Sequence, residues 1–386
     1  MALGTKPKTT AAWWSTAAAG ASAIALCYGF ARYAYGLFVP RFSETFGLTT
    51  VGAGVLGGLS TAGYGLGLLV SPVTSRRSAH GTVVLAAASA TLGLALMAAA
   101  PGVVVFGAGI VVAGAGAGLV SPGVAQLIGR TVAPRVRDRA QTWANTGTGL
   151  GLAASAFTPL LAFGWPVIWS AFAALGVAVT LIVGRVLPRA PAAPEEPGST
   201  RGMAPLVVNS VLIGVTSAPY WTFSSSRLTE AGLGPVAVTC CWCAIGVAGL
   251  FGGLAGRLAE RTGLRVANVA TWTLAACGIG LLAWPRPGLP GALVSSALFG
   301  LTYMALTGLC ILWAARLFPE RPARGVTWSF AGLGAGQTAA APLAGAAASG
   351  IGQAAVFGLT GLVALVAWSQ LSPRLAPPSA REEPPG

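Results

Sequence analysis

The chain contains 386 residues, of which 54% are apolar and only 8% are charged. A soluble globular protein carries about 25% charged residues, so this composition excludes a soluble domain and indicates an integral membrane protein. The formal net charge of +14 does not indicate a nucleic-acid partner, because the basic residues lie in short connectors between apolar runs.

Apolar runs separated by charged residues, prolines or glycines predict twelve membrane-spanning helices. A helix of about 20 apolar residues crosses the hydrocarbon core of a bilayer, and the predicted runs are about this long. In chain order the predicted ranges are 13–39, 51–72, 81–100, 103–128, 141–163, 166–187, 205–225, 235–256, 266–284, 289–315, 325–348 and 351–371.

The basic residues predict the orientation of these helices. All but four of the 23 lysines and arginines lie at the termini or in alternate connectors, on one face of the membrane. The exceptions are Arg41, Arg227 and Arg286 in the other connectors and Arg32 within the first helix. Since cytoplasmic loops carry the excess of positive charge, this arginine-rich face is predicted to be cytoplasmic, with both termini there. We expect a multi-pass protein of the inner (plasma) membrane of a bacterium.

The two halves of the sequence are related by an internal repeat. At an offset of 185 residues, identical residues recur in the segments that enter the fifth and eleventh predicted helices, and this indicates parallel copies. The matched pairs are Pro134/Pro319, Arg139/Arg324, Thr142/Thr327, Trp143/Trp328, Gly147/Gly332, Gly149/Gly334 and Gly151/Gly336. The predicted division is an N-terminal bundle (1–188), a polar linker (189–202), a C-terminal bundle (203–372) and a disordered tail (373–386).

Two motifs resemble a known family. The connector Gly256-Arg-Leu-Ala-Glu260-Arg261-Thr-Gly263-Leu-Arg265 resembles the cytoplasmic loop motif of the major facilitator superfamily. The matching first-half connector keeps only Arg76 of that pattern. Gly29-Phe-Ala-Arg32-Tyr-Ala-Tyr35, followed by Pro40, is similar to the first helix of the YbfB/YjiJ-like branch. The resemblance implies an all-α membrane protein with twelve transmembrane helices in two pseudo-symmetric six-helix bundles, the major facilitator fold, with a cavity between them.

Arg32 is the residue with the sharpest functional interpretation. An arginine in the hydrocarbon is costly and is a functional-site hypothesis by default. With the first helix ending near Pro40, the side chain lies in the outer half of the membrane, close to Tyr28 and Tyr35. Its planar donor fork suits a carboxylate or a similar anion. The alternative is a structural role, in which Arg32 extends toward the membrane surface or bonds to backbone carbonyls.

Further binding candidates are polar or aromatic residues of both halves. The repeat supplies no second arginine, because Ala218 stands at the position that matches Arg32, and this favours a monoanion or a polar neutral solute. Each amide could equally bond across helices for structural reasons. The predicted substrate-binding residues are Arg32, Tyr28, Tyr35, Gln126, Asn145, Tyr220, Trp221, Tyr303 and Gln337.

A gate is predicted at the arginine-rich face. We expect its charged residues to pair with neighbouring helix ends and to stabilise a conformation open toward the outer face. The predicted gating residues are Arg76, Arg139, Glu260, Arg261 and Arg324.

The acidic residues leave the driving ion open. Proton-driven transporters commonly carry Asp or Glu inside the membrane, but all nine acidic residues lie outside the predicted hydrocarbon. Glu44 and Glu230 are nearest to the pathway, and their spacing favours ion pairs with Arg41 and Arg227. A coupling proton and transport without one therefore remain alternatives.

Enzyme chemistry is not expected. The sequence has neither an H-E-x-x-H motif nor a P-loop, and its one histidine, His80, lies in a connector. Cys240, Cys241 and Cys243 lack a histidine or a second cysteine pair nearby, so we interpret them as small apolar side chains without metal. No catalytic residue, metal or cofactor is predicted.

The predicted function is secondary active transport of a small organic solute, anionic or polar, by alternating access. The expected partners are this solute and the lipid bilayer, and we expect a monomer. One alternative is efflux of amphipathic drugs or secondary metabolites, in which Arg32 is structural. A non-transporting receptor or scaffold is another alternative. It is less expected, because almost the whole sequence consists of predicted membrane spans and contains no sizeable soluble domain.

Overall fold

The computed structural model describes residues 11–161, 163–189, 202–318 and 322–370, and these ranges contain twelve long helices and no strand. Most of the predicted linker and the predicted disordered tail lie outside the described residues. The helices are α1 (Ala11–Ile24, Ala25–Tyr33 and Ala34–Phe46, continuous), α2 (Thr50–Arg77), α3 (Ala79–Ala98), α4 (Val103–Thr131), α5 (Arg137–Ala156), α6 (Trp165–Val186), α7 (Ala204–Glu230), α8 (Pro235–Gly249, Leu250–Gly253 and Leu254–Thr262, continuous), α9 (Leu264–Gly280 and Leu281–Ala283, continuous), α10 (Gly288–Leu317), α11 (Pro322–Ile351) and α12 (Gln353–Gln370).

Every helix lies where an apolar run predicts one, and nine of those in the described chain are long and apolar enough to cross a membrane. One clear difference is in α1, which continues past Pro40 to Phe46. Proline is tolerated inside membrane helices because neighbouring groups can satisfy the backbone carbonyl that it leaves unpaired. The helix ends at Gly47, whose φ of 61° is left-handed and whose N–H donates to the carbonyl of Ser43.

The middle of α1 is a π-helix, Ala25–Tyr33. Such wide turns are rare and often occur at functional sites. This one carries both Tyr28 and Arg32. It also passes very close to α5: a methyl group added to Gly29 would overlap the backbone of Gly151. The site described below is therefore built on an irregular turn that glycines allow to approach its neighbour.

The same packing scheme occurs in both halves. In the first half α1 packs on α5, α2 on α4, and α3 on both α4 and α6. In the second half α7 packs on α11, α8 on α10, and α9 on both α10 and α12. The second set is the first shifted by six helices, so the two pseudo-symmetric six-helix bundles predicted from the repeat are confirmed.

Repeated glycines explain why the two bundles share this scheme. A methyl group on Gly151 would overlap the carbonyl oxygen of Ala25 in α1, and one on Gly336, its copy in the repeat, would overlap that of Val211 in α7. Without a hydrophobic drive between helices in lipid, close backbone contact of this kind is what holds them together. Gly151 and Gly336 thus make equivalent contacts within their bundles, whereas the recurring pair Gly149 and Gly334 faces the other bundle.

The contacts between the bundles lie toward the arginine-poor face. Along the α2–α11 contact, a methyl group on Gly54 would lie 2.5 Å from the carbonyl oxygen of Ala341. Further along α2, Thr338 Oγ1 donates to Thr61 Oγ1 at 3.0 Å. The α1–α7 crossing is also tight, because a methyl group on Gly36 would overlap the carbonyl oxygen of Trp221. The structure therefore describes a conformation in which the bundles are joined at this face.

Candidate functional site

Arg32 lies near the middle of the membrane domain, in the π-helical turn of α1. Its side chain is only 5% exposed. Because α1 continues to Phe46, Arg32 is roughly 20 Å from that end of the helix at about 1.5 Å per residue. Arg32 is nearer to this end of α1 than to its start at Ala11, and its position in the outer half of the membrane stays a prediction.

The guanidinium group is enclosed by tyrosine rings and one amide. Its Nη1 donates to Tyr33 Oη at 3.1 Å and its Nη2 to Gln337 Oε1 at 2.5 Å. The rings of Tyr64, Tyr33 and Tyr28 lie 4.5, 5.0 and 5.9 Å from Cζ. A cation this close to an aromatic face is attracted by about 0.5–2 kcal/mol per ring. The Nε of Arg32 is buried and has no hydrogen-bond partner in the described part of the chain.

In the described chain, the positive charge of Arg32 is not paired with an acid. Within the described ranges, the four acidic residues lie at or near helix ends: Glu44, Asp138, Glu230 and Glu260. Glu230 forms an ion pair with Arg227 at 3.9 Å, at the arginine-poor end of α7. Buried charges in proteins are normally paired or bind an ion. Among the described residues, Arg32 is therefore a buried cation whose contacts are neutral tyrosines and one amide.

A polar and aromatic network carries the site across the bundle interface. Gln337 of α11 donates from Nε2 to Ser217 Oγ at 3.0 Å and to Tyr303 Oη at 3.5 Å. The hydroxyls of Tyr33 and Tyr303 are 3.3 Å apart, and the Tyr33 ring stacks on Trp221 with centroids 4.0 Å apart. Arg32 and Tyr33 of the first bundle thus contact α7, α10 and α11 of the second.

A small cavity lies beside this network, on the side toward the arginine-poor face. Its volume of about 30 Å³ is room for one or two water molecules. The indole Nε1 of Trp221, which is one of the lining residues, is buried without a hydrogen-bond partner in the described chain. The lining residues are Arg32, Tyr33, Tyr35, Gly57, Ser60, Thr61, Ala218, Trp221, Thr222, Gln337 and Ala341. An organic solute can enter only if the bundles move apart.

Six of the nine predicted binding residues come together around this network. They are Arg32, Tyr28, Tyr35, Trp221, Tyr303 and Gln337. Tyr35 lines the cavity while its hydroxyl donates to the carbonyl of Ala53 at 2.9 Å. Tyr28 stands next to the guanidinium, and its hydroxyl accepts from Ser121 at 3.2 Å.

The structure places the other three predicted residues elsewhere. Gln126 accepts from Arg130 one turn later in α4, at 2.8 Å. Asn145 is exposed on α5 and accepts from Gln141 at 2.9 Å. Tyr220 points into its own bundle, where its ring stacks on Phe299 with centroids 3.8 Å apart. Their contribution to binding stays a prediction that this conformation does not support.

Several residues of the site are not among the binding residues predicted from the sequence. Tyr33 stands in the motif around Arg32 but was not counted among the binding residues. Tyr64, Ser217 and Thr61 had no distinguishing pattern, since a hydroxyl in an apolar run most often bonds to its own helix. A search for the residues that the repeat places opposite α1 could have found Ser217, one position before Ala218.

The predicted gating residues lie at the arginine-rich ends of their helices. The Arg139 guanidinium stands over the rings of Trp13 and Trp14, at 5.4 Å from each. Glu260 and Arg261 are exposed at the end of α8, and Arg76 is exposed at the end of α2. Since the bundles here are joined at the opposite face, a gate at this face belongs to a different conformation and stays a prediction.

Comparison with known proteins identifies the relatives of this fold. The model of a family described as "Uncharacterised MFS-type transporter YbfB" matches residues 24–371. No curated protein matches the sequence.

Solved structures agree with this family match. A D-xylose–proton symporter is 14% identical, with a TM-score of 0.74 over 93% of this chain and 98% of the symporter. The D323A mutant of the nucleoside transporter NupG is 12% identical, with a TM-score of 0.73 over 93% and 98%. The human organic anion transporter MFSD10 (TETRAN) is 15% identical, with a TM-score of 0.67 over 95% and 100%. At these identities the likeness shows the fold alone.

Proposed function

Because this chain belongs to the YbfB family of MFS-type transporters, we propose that it moves a small organic solute with one negative charge across the membrane by alternating access. A small-molecule transporter that crosses the membrane many times is what the family implies. The observation that supports the finer proposal is Arg32, a buried cation with no acidic partner in the described chain. The fold does not choose the substrate, since the similar structures include sugar, nucleoside and organic anion transporters.

The donors around Arg32 suit a carboxylate. A guanidinium presents two parallel N–H groups to the two oxygens of a carboxylate, and such bonds are about twice as strong as neutral ones. The buried Nε of Arg32 and Nε1 of Trp221 are donors without acceptors in the described chain. One cation neutralises one charge, and Ala218 at the repeat-related position adds no second. A monoanion therefore fits this site better than a dianion does.

The aromatic residues define the remainder of the proposed substrate. Trp221 and Tyr33 stack on each other beside the cavity, and Tyr303 meets Trp221 edge-on with centroids 5.3 Å apart. When the bundles separate, these ring faces become available to apolar or planar parts of a ligand. The proposed solute is thus a monocarboxylate, or a similar monoanion, with an apolar portion.

Transport by alternating access requires a second conformation besides the one described here. The site lies where the bundles join. Separation of the bundles at the arginine-poor face, with closure at the arginine-rich face, would open the site to the arginine-poor side. We propose that the arginine-rich face is cytoplasmic, as the connectors predict, and that the gating charges act in this second conformation. A coupling proton and transport without one remain alternatives.

The test is a flux panel in proteoliposomes under imposed pH gradients. Monocarboxylates, dicarboxylates, neutral sugars and amphipathic cations are compared in wild type, Arg32→Ala and Arg41→Ala. Losing a charge-assisted bond of about 1.5–3 kcal/mol lowers monoanion affinity about ten- to a hundredfold in Arg32→Ala. Arg41 is the control, because it lies in the same helix but donates to the carbonyl of Pro159 near the arginine-poor face. Equal monoanion flux in folded Arg32→Ala would overturn the anion-site proposal.

A second candidate function is efflux of amphipathic drugs or secondary metabolites. The observation in its favour is the aromatic cluster of Tyr33, Trp221, Phe299 and Tyr303, which needs no charge to bind an apolar ligand. In that case Arg32 holds the tyrosines in place. Transport of amphipathic cations in the panel, with no monoanion flux, would favour this candidate.

A further inference from the structure

The hydrogen bond between Arg32 and Gln337 joins the two bundles at the middle of the membrane domain. Arg32 belongs to α1 and Gln337 to α11, 305 residues later, and both side chains are buried. Gln337 is anchored to its own bundle, where its Nε2 donates to Ser217 and Tyr303. The bond therefore breaks whenever α1 and α11 separate.

We propose that Gln337 is a stand-in for the anionic group of the substrate. In the empty transporter its neutral amide oxygen accepts from the guanidinium at the place that a substrate carboxylate oxygen takes on binding. The exchange of one acceptor for the other releases α1 from α11 and allows the bundles to part at the arginine-poor face. This inference rests on the proposed role of Arg32 in binding a monoanion.

An amide at position 337 suits this role because its bond to Arg32 is weaker than the bond that a substrate carboxylate makes to Arg32. A carboxylate adds a negative charge and a second oxygen that can accept in a bidentate pair, whereas the amide of Gln337 is neutral and offers Arg32 one oxygen, so a substrate can displace it. A glutamate at position 337 would instead neutralise Arg32 within the protein and compete with the substrate as an equal. An apolar residue there would leave Nη2 without an acceptor at membrane depth, where unpaired polar groups are unfavourable.

The stand-in also links binding to movement. Without a ligand, separation of α1 from α11 leaves Nη2 of Arg32 unpaired, so the empty transporter stays joined at the arginine-poor face. With a monoanion bound, Arg32 keeps an acceptor while the bundles part. A ligand shifts an equilibrium only by its differential affinity for the two conformations, and this exchange of acceptors supplies that difference.

The first arm of the test uses the empty transporter and needs no substrate. Ser60, which lines the cavity, becomes the reporter Ser60→Cys after the six native cysteines are replaced. A membrane-impermeant thiol reagent is added at the arginine-poor face. Relative to the reporter alone, the labelling rate is expected to rise about tenfold with Gln337→Leu and to fall about tenfold with Gln337→Glu. Both changes keep the side-chain volume nearly constant, and a monodisperse elution profile establishes folding.

The second arm measures binding of lactate, pyruvate, benzoate and nicotinate to wild type by thermal shift and calorimetry. For whichever of the four binds most tightly, Gln337→Glu is expected to weaken affinity at least a hundredfold. Gln337→Leu is expected to bind as tightly as wild type or up to tenfold more tightly. The control is Thr338→Val, which removes the neighbouring cross-bundle bond to Thr61 without touching Arg32. It is expected to speed labelling but to leave anion affinity within threefold of wild type.

Two results would overturn the stand-in role. One is Gln337→Glu binding the anion within threefold of wild type, and the other is Gln337→Leu binding more than tenfold more weakly, which makes Gln337 a direct ligand. Wild-type binding that depends on Arg32 upholds the proposed function in either case. Absence of any Arg32-dependent binding in wild type would instead count against the proposed function itself.

Discussion

Gly54 offers a direct test of what holds the bundles together at the arginine-poor face. It lies in α2 against α11, and a methyl group there would be 2.5 Å from the carbonyl oxygen of Ala341 and 3.1 Å from Cα of Pro342. Real methyl groups essentially never approach another heavy atom closer than 3.0 Å. In Gly54→Ala the two helices must therefore move apart by at least about 0.5 Å to accommodate the new group.

The expected effect follows from the energetics of overpacking. Inserting a methyl group into a close-packed contact costs about 1–3 kcal/mol, and here the penalty falls only on the conformation in which α2 and α11 touch. A penalty of this size shifts a two-state equilibrium by about five- to 150-fold. Gly54→Ala is therefore expected to populate the conformation that is open at the arginine-poor face.

The assay is thiol labelling of the Ser60→Cys reporter in the cysteine-free background, with an impermeant reagent at the arginine-poor face. The labelling rate should rise at least fivefold with Gly54→Ala. The matched control is Gly65→Ala, the same change in the same helix, where a methyl group would meet no atom within 4 Å. It should leave the rate unchanged while raising helix propensity by up to about 1 kcal/mol.

Two outcomes would refute this reasoning. If Gly54→Ala elutes as a folded protein and labels at the reporter's rate, the α2–α11 contact does not close this face. If Gly65→Ala accelerates labelling as much as Gly54→Ala does, the effect comes from helix propensity and steric contact has no part in it.

Four further outcomes are expected. Arg32→Lys keeps the charge but loses the planar fork, so its monoanion affinity, measured from flux kinetics, should fall between those of wild type and Arg32→Ala. Arg227→Leu leaves backbone carbonyls at the end of α9 without their donor, so detergent-solubilised protein should melt at a lower temperature with an unchanged substrate profile. Gly151→Val should reduce the yield of folded protein, because its Cβ would lie 2.6 Å from the carbonyl oxygen of Ala25 and force α1 away from α5. Glu260→Gln should raise cavity labelling from the arginine-rich face if Glu260 acts in the predicted gate, and unchanged labelling would count against that gate.

The sequence by itself determined the number and approximate position of the helices. Bilayer thickness imposes their length, and backbone hydrogen bonding in lipid leaves the helix as the structure for each apolar run. The end of α1 was misplaced because Pro40 looked like a helix terminus, whereas neighbouring groups in a membrane protein tolerate an internal proline. The division of the chain at 189–202 stays a prediction, since residues 190–201 lie outside the described ranges.

The repeat also carries the glycines on which each bundle packs. Gly147 and Gly151 are spaced by four residues, which puts them on one face of α5, and their copies Gly332 and Gly336 do the same on α11. Close backbone contact needs a missing side chain, so the glycine pattern marks the contact surface directly. In the structure these glycines lie in the α1–α5 and α7–α11 contacts.

Only the tertiary structure decided which polar residues meet Arg32. A buried arginine calls for partners, and Trp221, Tyr303 and Gln337 were among those predicted, but so were Gln126, Asn145 and Tyr220, which point elsewhere. The direction of a side chain depends on how each helix is rotated about its axis, and in α1 the π-helical turn changes that rotation by an amount that apolar runs do not encode. The bond from Arg32 to Gln337 spans 305 residues, and it exists because the two bundles meet in one register at the arginine-poor face.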